Sequence, residues 1–576
     1  MGHNLGMHRL GLPSFVPLSF SFVLACGGSG TDESGVAQTS LEAGTNPDSE
    51  TDDGITGDGD GDGDGDGEPG DGDGDGDGEP GDGDGDPDGG IKFDMAPPPD
   101  MNDDPMPPSC KVVDDMNAVG ICRETAPPDS FEPATQWSYT GPVGFDQAIA
   151  TPLVINLTDD DQNGEIDLCD IPDVLLVAGP KAGDVRPSKL LALDGATGTV
   201  HFEFQALVQY AATPATGDID GDGLPEVVAV GPNSSAPLIA FEHDGSVKWM
   251  SNTVWSAAQS SAIALADVDA DGDVEIIAGA RLYDHDGIEL WNRPDKIYSA
   301  STAADLDSDG QLEILTGGAA YRANGDTYWL VPEIQNQGGI ASHPQVADVD
   351  DDGEPEVLVA VNDGLWLLEG DGTVIWSSFR PTGEPGDWNR PVNIHDLDGD
   401  GFPEFGASAP GHYGVWEFDQ TEVWSSNIGD PSGQAGGTAF DFLGAGEAQT
   451  VYADEHFLHV FDETGFELLV TERNSGTVIE YPVVADIDND GSSEILVVSN
   501  SLFGGNLPYT ITAIRDVEDR WIQGRRIWNQ HTYHVTNVRE DGVIPQNEPP
   551  NWEDLNTFRT QAQIEGGSVC LPEPQG

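Results

Sequence analysis

The sequence predicts an all-β protein, a β-propeller of four-stranded blades, with eight blades favoured and seven the alternative. Three observations predict it. A nine-residue acidic unit recurs eight times at intervals of 38 to 59 residues. Short β-branched runs, parted by Gly, Asp and Asn turns, surround each copy and read as strands and hairpins rather than helices. Four such strands in about 45 residues is the size of a propeller blade, and 576 residues leave room for a full ring of them.

The acidic unit is clearest at Asp396-Leu-Asp-Gly-Asp-Gly-Phe-Pro-Glu404. Asp396, Asp398 and Asp400 place carboxylates at alternate positions. Gly401 permits the sharp turn, and Glu404 returns a fourth carboxylate to the same point. Hard divalent cations take six to eight oxygens at about 2.3–2.6 Å, and a tight loop of this kind supplies them, with a backbone carbonyl near Phe402 as a natural addition. About seven such ions are expected.

Seven copies keep the pattern. Their expected ligands are Asp159, Asp161, Asn163 and Asp167; Asp218, Asp220, Asp222 and Glu226; Asp267, Asp269, Asp271 and Glu275; Asp305, Asp307, Asp309 and Glu313; Asp348, Asp350, Asp352 and Glu356; Asp396, Asp398, Asp400 and Glu404; and Asp486, Asp488, Asp490 and Glu494. The copy at Asp441 has Leu443, Ala445 and Gln449 where carboxylates belong, and no ion is expected there.

Around each loop the strand text repeats. An apolar run precedes it (Pro344-Gln-Val-Ala), a β-rich run follows (Glu356-Val-Leu-Val-Ala), and a hairpin leads to a last strand carrying Trp. That Trp recurs at Trp249, Trp291 and Trp376, with variants at Trp329 and Trp424. Its regular place predicts packing between blades rather than a sugar-stacking platform. Thr135-Gln-Trp-Ser-Tyr139 reads as the last strand of a unit that lacks its beginning, which predicts ring closure by strands from both chain ends.

The formal charge is −84, from 105 acidic and 21 basic residues. Nucleic acid and anionic membrane surfaces are therefore excluded as charge-driven partners. Residues 1–26 read as an export signal: Arg9 precedes the uncharged, mostly apolar stretch Leu10–Ala25, which is too short and broken to span a membrane. Residues 27–109 form an acidic Gly/Asp/Pro-rich tether, expected to be disordered because it has almost nothing to bury. A Cys-containing lead-in follows at 110–134, the propeller spans 135–537, and 538–576 close the structure.

Export agrees with the cysteines. With Cys26 set apart, Cys110, Cys122, Cys169 and Cys570 allow three pairings. Cys110 with Cys122 closes a small loop, and Cys169 with Cys570 staples the first repeat to the C-terminus; this arrangement is favoured. The C-terminal stretch Gly524–His534 concentrates basic and aromatic residues in an acidic chain. Arg525, Arg526, His531 and His534 are candidates for a ligand or partner site. His531 and His534 suit a transition metal if helical. The favoured reading is a closure segment whose arginines pair with the acidic propeller.

Two resemblances add to this reading. Val23-Leu-Ala-Cys26-Gly resembles a bacterial lipobox, which implies lipidation of Cys26 and an exported lipoprotein of the outer membrane, at the cell surface or facing the periplasm. Residues 150–500, with their D-x-D-x-D-G-x-x-[DE] loops, resemble tandem FG-GAP/VCBS repeats, the units of the integrin α-chain propeller. That resemblance implies calcium in the loops and a surface-anchored, non-catalytic binding or adhesion module with a protein or glycan ligand. The alternatives are a polysaccharide-active, lyase-like or quinoprotein-like enzyme on the same scaffold, or a structural component of envelope assembly. The repeats show no nucleophile elbow and no convergent Lys/His/Arg set, so no catalytic residue is assigned.

Overall fold

Each acidic loop joins the first and second strands of an antiparallel sheet, and the chain repeats this eight times. The computed structural model describes residue 112 and residues 120–572, apart from 182–185, 257–260, 294–299, 336, 338–341, 384–387, 389, 503 and 507–508. The signal segment, Cys26, the tether and Cys110 lie outside the described residues.

The protein is an eight-bladed propeller of four-stranded blades. The first strands are Leu153–Ile155, Ala215–Gly217, Ser261–Ala266, Thr302–Ala304, His343–Ala347, Asn393–His395, Gly437–Phe440 and Val483–Ala485. Second strands such as Glu356–Val361 are buried at every position. Sheets cover both faces of such a strand, which is why it reads as a continuous apolar run rather than an alternation. Last strands such as Val374–Phe379 are exposed except where an aromatic leans inward. Among the described residues helix is confined to short pieces such as Pro332–Gln335 and Asn551–Asp554.

Ring closure uses both ends of the chain. Pro133–Tyr139 pairs antiparallel with Ile511–Asp516 and completes the eighth blade as its last strand. An edge that a single segment would leave open is thereby paired.

In most blades an aromatic of the last strand packs on the hairpin of the next blade; Glu467–Glu472, the last strand of the seventh, carries none. Trp249 donates to the His285 carbonyl at 2.8 Å, Trp291 to Ala323 at 2.8 Å, Trp329 to Gly370 at 2.9 Å and Trp376 to Phe418 at 2.8 Å. Trp137 reaches Gly195 in the same way. The indole thus buries its ring and satisfies its single donor across a blade junction.

The C-terminal segment is a hub. It begins after Asp516, earlier than residue 538, and touches the first-strand region of every blade. Val154 and Trp528 exchange backbone hydrogen bonds of 3.0 and 2.9 Å, and Thr216 N–H donates to Asn529 at 2.9 Å. Gln530 Oε1 accepts from Leu265 at 2.8 Å, and Thr532 donates to the Ser301 carbonyl at 3.4 Å. Asn551 donates to Val346 at 3.2 Å. Ile394 and Phe558 exchange two bonds of 2.9 Å. Thr438 donates to the Arg559 carbonyl at 2.8 Å, and Gln561 to Val484 at 3.0 Å.

The disulfide pairing departs from the favoured one. Cys122 bonds Cys570, with Cα atoms 5.2 Å apart. Cys169 is itself disulfide-bonded, so it does not pair with Cys570. The reason is local: the lead-in runs beside the C-terminus, with Cys122 N–H on Leu571 at 2.8 Å and Leu571 N–H on Gly120 at 2.7 Å. That two-bond bridge brings the two sulfurs together.

Candidate metal centres

At the sixth blade the loop folds as its spacing requires. Asp396 accepts from Gly399 N–H at 2.7 Å with one oxygen and from Gly401 N–H at 2.9 Å with the other. Gly401 has φ +93°, a region closed to most side chains. Asp400 caps Phe402 N–H at 2.9 Å, and Glu404 Oε2 accepts from Leu397 N–H at 2.7 Å. Ligand oxygens of Asp396, Asp398, Asp400 and Glu404 then lie within 4.8 Å of one another.

Glu404 is fully buried, and its Oε1 has no hydrogen-bond partner. Burial first, and then Asp398 and Asp396, push its pKa up to about 9. Burial likewise raises Asp396 to about 6. An orphaned buried carboxylate oxygen facing three more carboxylates fits a hard divalent cation, whose charge would reverse this penalty.

The other copies repeat the frame. Glu226, Glu275, Glu313, Glu356 and Glu494 accept from Ile219, Val268, Leu306, Val349 and Ile487 N–H at 2.9–3.0 Å. Burial pushes Glu275 and Glu356 up to about 8. In the eighth blade Glu494 Oε1 and Asp486 Oδ1 are both without partners. Two loops differ, because a side chain of the same blade already offers a positive charge. Lys248 Nζ lies 2.6 Å from Asp220 and 3.0 Å from Glu226. Arg322 lies 2.6 Å from Asp307, 3.1 Å from Asp309 and 2.8 Å from Glu313. These cations compete with a metal ion for the same oxygens.

The first loop has a different ligand set from the one expected. Asp159, Asp161 and Asp170 converge, whereas Asp167 caps Cys169 N–H at 2.9 Å. Asp170 is buried and accepts from Asp160 N–H at 2.8 Å and Asp167 N–H at 2.9 Å. The strand register explains the shift. Ile155 pairs with Asp173 as Gly217 pairs with Glu226, so Asp173 holds the place of the blade's usual Glu. Its carboxylate accepts from Leu157 N–H at 2.9 Å. The acidic run is therefore an insertion with its own geometry. Counted from Asp159, Gly164 is sixth and Asp170 twelfth, the spacing of an EF-hand loop. That spacing is the signal a nine-residue template passes over.

The Asp441 copy keeps the turn without the carboxylates. Asp441 accepts from Ala445 and Gly446 N–H at 3.1 and 2.7 Å, and Gln449 Oε1 takes the Phe442 N–H at 2.9 Å. The lead-in lies against this loop through Ala126 N–H on Leu443 at 2.7 Å.

The four C-terminal candidates do not form one site. All are buried. Arg526 pairs with Glu540 at 2.9 Å, His534 with Glu548 at 2.6 Å, and Arg525 donates to the Val535 carbonyl at 2.7 Å and the Tyr533 hydroxyl at 3.0 Å. His531 and His534 share no helical face, since the chain turns there and only Val535–Asn537 is helical. The metal reading of that pair is thereby overturned, and a partner approaching from solvent finds none of the four.

A family model described as an FG-GAP-like repeat matches residues 218–278 and 348–407. Each match runs from the first Asp of one loop into the strand beyond the next. Those two stretches are similar to FG-GAP-like repeats. Their frame is the loop-and-strand unit described above. Among solved structures, the biofilm matrix protein Bap1 of V. cholerae matches at TM-score 0.65 and 19% identity, over 77% of this chain and 100% of that one. The rhamnogalacturonan lyase YesW matches at TM-score 0.46 and 15% identity, over 77% and 84%. The first likeness is one of fold. No curated protein matches the chain. Among the described residues no helix is long and apolar enough to cross a membrane.

Proposed function

We propose that this chain is a calcium-clipped, non-catalytic binding module displayed at a bacterial surface, with Cys26 as its lipid anchor. The observation that carries the reading is the Asp396 loop, with four convergent carboxylates and the partnerless buried Glu404 Oε1. Five further loops on the same frame extend it, and the first acidic run gathers Asp159, Asp161 and Asp170 in a geometry of its own. Arg525, Arg526 and His534 of the hub are buried in structural contacts, which speaks against catalysis by them. The biofilm matrix protein Bap1 uses this fold too. The ligand is a protein or glycan met outside the cell.

Calcium acts here as a structural clip on each blade. Extracellular calcium modules bind at about 10⁻⁴–10⁻³ M. At tenfold saturation each independent site adds about 1.4 kcal/mol, so seven add about 10 kcal/mol, comparable to the stability of a whole domain. The test is a calorimetric melt of the full chain in millimolar calcium and in excess EGTA, with bound metal counted by mass spectrometry. A large drop in Tm and about seven ions are expected, with the loops of Lys248 and Arg322 filling last. Binding of the purified chain to surface glycan and matrix protein is then scored with and without calcium. An unchanged melt with no bound ions removes the clip, and turnover of uronic-acid polymers removes the non-catalytic assignment.

A further inference from the structure

The hub carries a cluster of donors that no loop explains. Arg559 is completely buried. Its Nε donates to the His531 carbonyl at 3.1 Å and its Nη1 to the Val392 carbonyl at 3.0 Å. Its Nη2 has no hydrogen-bond partner. No carboxylate pairs with it among the described residues, and the ionisable neighbour that supports its charge is Tyr481. A guanidinium out of water without a counter-ion is an expensive arrangement, and buried charges are as a rule paired.

Two imidazoles share this spot. His343, on the first strand of the fifth blade, and His531, on the hub, are both fully buried. Their ring centroids lie 5.7 Å apart with planes tilted by 33°. None of their four ring nitrogens makes a hydrogen bond of ordinary geometry, and the Ile479 backbone is the polar neighbour of the His531 ring. Burial and the charges of Arg559 and Arg390 hold His343 well below its ordinary pKa, and burial, Arg559 and His343 do the same for His531. Each neutral ring still offers one N–H.

Two kinds of ligand answer such a set. A transition ion suits imidazole nitrogen, but the Arg559 charge acts on both rings against a cation, and among the described residues no carboxylate pairs with it. An anion accepts from the guanidinium and the ring N–H groups together and supplies the missing countercharge. We propose that His343, His531 and Arg559 form a buried site for one small monovalent anion, of halide or formate size, where the C-terminal hub meets the blades. In a chain of net charge −84, this anion stands at a locally basic point and pins the hub to the fifth blade.

The test uses the full chain in calcium, crystallised with sodium bromide and melted in sodium bromide, chloride or gluconate at equal ionic strength. An anomalous bromide peak within hydrogen-bonding reach of Arg559 Nη2 and a ring nitrogen is expected, with Tm rising by several degrees in the halides over gluconate. Arg559→Met, which keeps the apolar stem, is expected to lose both the peak and the halide dependence. His343→Phe, which keeps the ring and removes the N–H, is expected to raise the half-saturating halide concentration about tenfold. Should Arg559→Met not fold, the wild-type map and the His343 variant still decide. Water alone at the site, an adventitious surface ion only, or identical melts in halide and gluconate overturns the proposal.

Discussion

Glu404 is a single residue at which stability is expected to couple to metal. Its Oε2 is held by Leu397 N–H while its Oε1 is left buried and bare. In chelated protein its pKa stands at about 9 against an ordinary 4.5. The native state therefore binds this proton more tightly than the unfolded chain does. Stability of the chelated protein is fullest below about pH 4.5 and falls as the pH rises toward the folded value, by up to about 1.4 kcal/mol per unit from this group. Bound calcium is expected to reverse the trend by replacing the proton. Glu404→Gln keeps the acceptor for Leu397 and removes the charge. It is expected to lose one ion from the mass count and to lower Tm in calcium. In EGTA at pH 8 it is expected to melt above the parent, and melts from pH 5 to 8 in both conditions check the crossing.

At the scale of the element, the blade junction is the unit that repeats. The Trp329 indole lies on the hairpin of the fifth blade at Gly372, which has φ +83°. A Cβ there meets the ring at 2.7 Å. The residue type is dictated twice, by backbone conformation and by contact. Gly372→Ala is expected to cost about 2–4 kcal/mol, from left-handed strain plus overpacking. Trp329→Ala leaves a cavity instead and is expected to cost about 3–5 kcal/mol. Urea unfolding in calcium measures both. The double variant should be much less than additive, because the two changes act on one contact.

For the whole molecule, the hub and the paired ends decide whether the ring holds. The Cys122–Cys570 bond closes a separation of 448 residues. Cross-links over long spans restrict the unfolded chain most, by up to about 5 kcal/mol. Reduction in calcium is expected to lower Tm without dissolving the blades, since closure also rests on the Pro133–Tyr139 pairing with Ile511–Asp516. Truncation after Asp516 removes contacts from all eight first-strand regions at once. It is expected to abolish cooperative melting and to leave an expanded species on size-exclusion chromatography.

The sequence by itself determined the all-β class, the blade as the repeating unit, the loop frame and closure from both ends. These are local facts: carboxylate spacing, glycine at the turn and β-branched runs act over fewer than a dozen residues. Position along the chain exposed the inter-blade Trp as well, because a strand residue that recurs once per unit meets the same neighbour each time. Tertiary structure alone decided what depends on distant residues meeting. The pairing of Cys122 with Cys570 followed from the lead-in lying beside the C-terminus. The register of Ile155 with Asp173 showed the first acidic run to be an insertion ending at Asp170. His531 sits beside His343, 188 positions earlier in the chain, rather than beside His534. No periodicity announces a hub that touches every repeat, because its contacts are made by backbone and single side chains in an irregular segment.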